Sequence, residues 1–175
     1  MRRKVTIAIL IIFTFIIQTT IFQRLSIASV APNLLLILTV SFGFMQGKKS
    51  GMWIGFFCGL CIDLLYSQTI GINALVYMFI GYLNGFLYKV FYDEDIKVPV
   101  LLIGVSDLGY CLVTYALYFL MRVRLGFTSY LQHVIIPEVV YTVVISIIFY
   151  RLLYKLNQKF VENEMEGQEL PWLKR

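Results

Sequence analysis

Three acidic residues, Asp63, Asp107 and Glu138, sit inside or at the edge of long apolar runs, where a carboxyl group needs a reason to be. Aligned through a membrane they could pass a proton or a cation, with Asn73 and Asn84 on the neighbouring run as polar contacts for a solute. Arg122 and Arg124, together with Arg24 and His133, fall near the same ends of the runs as Asp63 and Glu138 and could pair with them. Three acids without an intramembrane Lys or Arg make a poor pump, and local ion pairs at helix ends are the plainer reading. Asp107 stands about nine residues into its run, roughly 14 Å along a helix, which places it near mid-membrane. There a carboxyl needs a proton, a hydrogen-bond partner or a polar cavity. Gly104, Ser106 and Gly109 leave room for a close neighbour beside it.

Cys58 and Cys61 have the C-x-x-C spacing of metal and dithiol sites, but no His or second Cys pair accompanies them. Small apolar packing is the better account of the pair, and His133 has no companion at ligand spacing. No nucleophile elbow, phosphate loop or pair of soluble carboxylates is present, so the sequence implies no catalytic residue, no cofactor and no metal. The stretch GMWIGFFCGLCID carries a different pattern: Gly51, Gly55, Gly59 and Asp63 recur every fourth residue, a stripe that drifts by about 40° per step on a helix. Gly81 and Gly85 continue a similar row from Asn73 and Tyr77 on the next run. Small-residue stripes let two backbones approach where apolar burial gives little drive. The two runs are therefore expected to pack on each other, with docking of a partner's helix as the competing use. Asp63, at the end of the stripe and near the outer rim, is expected to bond to the neighbour that the glycines bring close.

These residues must be positioned by membrane helices. The chain has 175 residues, of which 59% are hydrophobic and 14% charged, with a mean hydropathy of +0.80, against about 25% charged in soluble domains. Apolar runs at 5–22, 32–45, 51–66, 72–91, 98–121 and 134–154 give six spanning helices in one domain, 1–156. A bilayer core takes roughly 20 residues per span, so the second and third are short. The basic start Arg2, Arg3, Lys4 imitates a signal peptide, but the run behind it is of span length, and it is expected to stay as the first helix. Arg2, Arg3, Lys4, Lys48, Lys49, Lys89, Lys97, Arg151, Lys155, Lys159, Lys174 and Arg175 fall on one side, leaving Arg24, Arg122 and Arg124 on the other. Both termini are then cytoplasmic by the positive-inside rule. A net charge of +5 distributed in this way argues against nucleic acid as a partner. Residues 157–175, rich in Glu and without an apolar stripe, are expected to form a flexible cytoplasmic tail.

The segment from Pro32 and Asn33 to Gly47, then Gly51, Gly55, Gly59, Leu60 and the Asp63-Leu64-Leu65 end, then Gly71 to Leu75 and Gly81 to Gly85, resembles the MreD family of rod shape-determining proteins. The resemblance is most specific over residues 32–86. It implies an all-α, multi-pass protein of the bacterial inner (cytoplasmic) membrane, similar in architecture to the substrate-binding subunits of energy-coupling-factor transporters. It also implies a non-catalytic component of the cell-elongation machinery that scaffolds MreC, the MreB filament and the polymerase and transpeptidase of lateral peptidoglycan synthesis. Small-solute binding or transport is the alternative, and a homo-oligomer is left open.

Overall fold

The computed structural model describes residues 2–22, 24, 30–66, 71–89, 96–120 and 127–169, and among these it is helical with no strand. Helix α1 (Arg2–Ile17) passes into a π turn at Gln18–Phe22; α2 is Leu34–Gln46, α3 Lys48–Tyr66 and α4 Ile72–Phe86, which ends in a 3-10 turn at Leu87–Lys89. Then come α5 (Lys97–Leu120), the short α6 (Phe127–Tyr130), a π turn at Leu131–Ile135 and α7 (Ile136–Glu169).

The distribution of polarity is that of a protein in lipid. Exposed side chains include Ile9, Phe13, Trp53, Phe79, Leu101, Val105, Val140 and Ile148, whereas Thr39, Ser41, Asp63, Asn73, Asn84, Asp107, Thr142 and Ser146 are buried. Water would reverse that arrangement, and hydrocarbon accepts it. By length and composition, the stretches Val5–Phe22, Lys97–Leu117 and Thr128–Lys159 can cross a membrane, while Leu34–Gln46 and Ile72–Phe86 are shorter apolar helices. The 13 residues of α2 are short for a reason: every residue from Leu34 to Met45 is buried. A helix apolar on all sides belongs in the middle of a bundle, and α1, α3, α4, α5 and α7 all pack against it.

One residue joins α2 to α3. Gly47 adopts φ +86°, a conformation open to glycine at little cost, and its N–H donates to Gly43 O at 2.9 Å to close α2. Helix α3 therefore starts at Lys48, before the apolar run itself, and the Lys48 ammonium lies 3.4 Å from the centre of the Phe86 ring, a cation–π contact that offsets its position at a helix N-terminus.

Pro137 explains the second π turn. It has no N–H to offer one turn back, and its ring crowds the carbonyl there. The helix answers by widening, with Ile136 N–H bonding Leu131 O five residues back, as π bulges allow. Pro99 is accommodated differently, within the first turn of α5 where no helical donor is lost. At the far end α7 remains helical to Glu169, past the boundary expected near residue 156. Its 34 residues rise about 51 Å, more than a bilayer core of roughly 30 Å. Residues 157–169 lack an apolar stripe but are rich in good helix formers, and they extend a helix already nucleated by its apolar half. Of the expected tail, 170–175 lie outside the described residues.

Candidate functional site

The two glycine rows meet. A Cβ on Gly59 would lie 2.5 Å from Ala74 Cα and Asn73 O, one on Gly85 2.5 Å from Lys48 Cα, and ones on Gly51 and Gly55 would overlap the backbone carbonyls of Gly81 and Tyr77. No side chain fits there without separating α3 from α4. Gly43 of α2 joins the same node, since a Cβ on Gly51 would come within 2.7 Å of its Cα. The stripe is thus occupied within the chain by α4 and α2. Gly43 and Gly47 continue the four-residue spacing back from Gly51, but the helix breaks at Gly47, so Gly43 reaches the node from α2 and not along the stripe of α3. A Cβ on Gly104 would lie 2.9 Å from Val143 Cγ2, whereas one on Gly109 would enter open space.

Asp63 ends the stripe as the cap of α4. Its Oδ2 accepts from Gly71 N and Ala74 N, both at 2.9 Å, and its Oδ1 from Asn73 N at 3.2 Å and Asn73 Nδ2 at 2.9 Å. The first backbone N–H groups of a helix have no partner within it, and a carboxylate there also meets the positive end of the helix dipole. Asp63 comes from a different helix and is only 1% exposed, so it ties α3 to α4 where the glycines have already brought them together. Both its oxygens are engaged inside the chain, on the neighbour that the glycines bring close.

A band of buried polar groups continues inward from this cap. Tyr110 Oη donates to Asn73 Oδ1 at 3.0 Å, and the Tyr110 ring packs edge-on against Tyr77 with centroids 5.2 Å apart. Tyr77 Oη donates to Asn33 Oδ1 at 2.6 Å. Asn33 caps α2 through the Leu36 N–H at 3.3 Å, and its own N–H donates to Thr142 Oγ1 at 3.2 Å. Helices α2, α4, α5 and α7 are therefore linked through one polar layer, the type of interhelical bonding that lipid leaves available. Two signals in the sequence bear on this layer: Pro32-Asn33 ahead of an apolar run, a cap motif, and Tyr77 in the four-residue row with Asn73, Gly81 and Gly85; no local pattern marks Tyr110 or Thr142.

Asp107 lies beside this layer, fully buried, and neither of its carboxylate oxygens has a hydrogen-bond partner in the structure. Cys111, one turn further along α5, and Glu138, in the first turn of α7, approach it so that one ligand atom from each of the three lies within 4.8 Å of the others. Asp63 is not part of this group, and Asn84 is apart as well, donating from Nδ2 to Ser106 Oγ and Ile80 O, each at 2.9 Å. Arg122 and Arg124 lie outside the described residues. Cys58 and Cys61 are free thiols.

Two of the clefts formed by the described residues open on the surface. One, of about 620 Å³, runs between α1 and α3 and is lined by Ile7, Ala8, Ile11, Ile12, Lys49, Ser50, Trp53, Ile54, Phe57 and Cys61; the other, of about 480 Å³, lies along α7 from Ile147 to Lys155 and includes Ile96. Neither is lined by Asp107, Asn73 or Asn84, so the polar residues offered for a solute do not face a shared cleft there.

The family model for rod shape-determining protein MreD matches residues 1–160, nearly the whole chain. The chain belongs to the MreD family. It is accordingly a membrane protein with a role in rod shape determination, in keeping with its lipid-exposed apolar exterior. The match covers the cap, the glycine seam and the buried acids alike. No curated protein and no solved structure matches the chain.

Proposed function

We propose that this MreD-family chain is a non-catalytic, six-span scaffold of the bacterial inner membrane, with both termini in the cytoplasm, that holds MreC and the enzymes of lateral peptidoglycan synthesis near the MreB filament. The observation that carries the reading is the apolar cleft between α1 and α3. The glycine seam is filled by the chain itself, so a partner's helix needs another surface. This cleft offers one, with the exposed Trp53 and Phe57 rings stacked at 6.3 Å on one wall and aliphatic α1 on the other. Lys49 and Ser50 give it one polar end, on the cytoplasmic side in the proposed topology. Helix association in lipid depends on close packing, and a preformed cleft supplies shape without a conformational cost.

The test is to fill the cleft. Ala8→Trp and Ile12→Trp are expected to leave membrane levels unchanged while reducing co-purification of MreC and rounding the cells. Normal rods and full recovery of partners with both variants would reject the cleft as a docking surface.

A further inference from the structure

The sequence suggested no metal ligands, yet folding brings Asp107, Cys111 and Glu138 together. Asp107 and Cys111 are four residues apart on α5, hence on one face, and Glu138 reaches them from α7. The independent observation is Asp107 itself, 0% exposed, with both oxygens lacking a partner. Thr142 and Asn33 flank it: their oxygens accept from the Asn33 N–H, the Leu36 N–H and Tyr77 Oη, and their remaining donors, the Thr142 hydroxyl and the Asn33 NH2, are turned toward the carboxylate without closing a hydrogen bond of standard geometry. A carboxylate stranded in this way is expensive, and a second carboxylate beside it adds repulsion.

We propose that Asp107, Cys111 and Glu138 bind one divalent cation of the zinc class. The Cys111 thiol coordinates as thiolate, releasing its proton to solvent, and a 2+ ion then offsets two of the three negative charges of the ligand set, leaving the site at one net negative charge where the two carboxylates and the thiolate alone would carry three. Two oxygens and one sulfur suit zinc or cobalt(II); magnesium and calcium ask for six or more oxygen ligands. Bond lengths of about 2.0–2.3 Å require the three ligand atoms to close by roughly 1 Å on loading, within the reach of side-chain rotation. Glu138 is only partly buried and marks the way in for the ion. The bound ion joins α5 to α7, next to the Asn33–Thr142 bond that joins α2 to α7.

The experiment uses the full chain in nanodiscs, stripped with a chelator and titrated with cobalt(II). Expected are one equivalent bound and a near-ultraviolet thiolate-to-cobalt charge-transfer band. That band should persist in Cys58→Ala/Cys61→Ala, whose sole remaining thiol is Cys111, and vanish in Cys111→Ser. Asp107→Asn and Glu138→Gln should weaken binding by more than the ~10–100-fold that loss of an outer-shell partner causes. Absence of stoichiometric binding by the unaltered chain, or no thiolate band in the form whose one thiol is Cys111, overturns the proposal even if Cys111→Ser fails to fold.

Discussion

Replacing Asp63 by Ala removes four hydrogen bonds at once, leaving the N–H groups of Gly71, Asn73 and Ala74 and the Asn73 amide without their acceptor. Interhelical hydrogen bonds in membranes average about 0.6 kcal/mol and reach ~1.7, and loss of a helix cap alone costs about 0.5–2 kcal/mol. With four bonds sharing one carboxylate, the expected loss is roughly 2–4 kcal/mol. Asn is a poor substitute, because whichever way its amide is turned, an NH2 faces donors: either Gly71 and Ala74, or the two from Asn73. Asp63→Asn should therefore cost at least half as much as Asp63→Ala. Leu64, next in sequence and 66% exposed, is the control; Leu64→Ala should stay within about 0.5 kcal/mol, as surface changes do. Steric trapping in bicelles, with biotin tags on α3 and α4, measures these differences without detergent denaturation. An Asp63→Ala protein within about 0.5 kcal/mol of the unaltered chain would refute the capping account.

Several glycine substitutions should separate by environment in the same assay. Gly59→Val, directed at the Ala74 backbone, should prevent α3 and α4 from closing and lower the folded yield severely, whereas Gly109→Ala, with open space around it, should be neutral or stabilise by up to about 1 kcal/mol. Gly71 has room for a Cβ but sits at φ +107°, so Gly71→Ala should cost about 1–2 kcal/mol through backbone strain alone. Tyr77→Phe removes the hydroxyl from Asn33 Oδ1 but leaves the Leu36 N–H bonded there; a loss near 1 kcal/mol is expected, read by thermal unfolding in nanodiscs.

Much of the architecture can be read from one sequence because lipid imposes strong rules. Apolar runs give the helices, and repeats of four such as Gly51-Gly55-Gly59 identify where backbones come close. The partner of a polar group is less accessible. Asp63 lies at the end of a glycine stripe, so its approach to α4 is readable, but whether its oxygens meet a helix N-terminus or a partner depends on where Gly71 turns the chain, eight residues later. Asp107, Cys111 and Glu138 show the larger gap. The i, i+4 pair on α5 is visible in sequence, but Glu138 joins it only through the packing of α5 on α7, which no local pattern encodes. The helical continuation to Glu169 was hidden for the opposite reason: composition reads as tail-like, while helix growth from a nucleated end needs no apolar stripe.

Site-specific photo-crosslinking in growing rod-shaped cells tests the scaffold most directly, with a photoreactive phenylalanine at Trp53 in the α1–α3 cleft and another at Val105, exposed on α5 outside either cleft. The expected result is an adduct with MreC at Trp53 and none at Val105, in cells that keep their shape. No adduct at Trp53, or equal adducts at both positions, would contradict a partner held in that cleft.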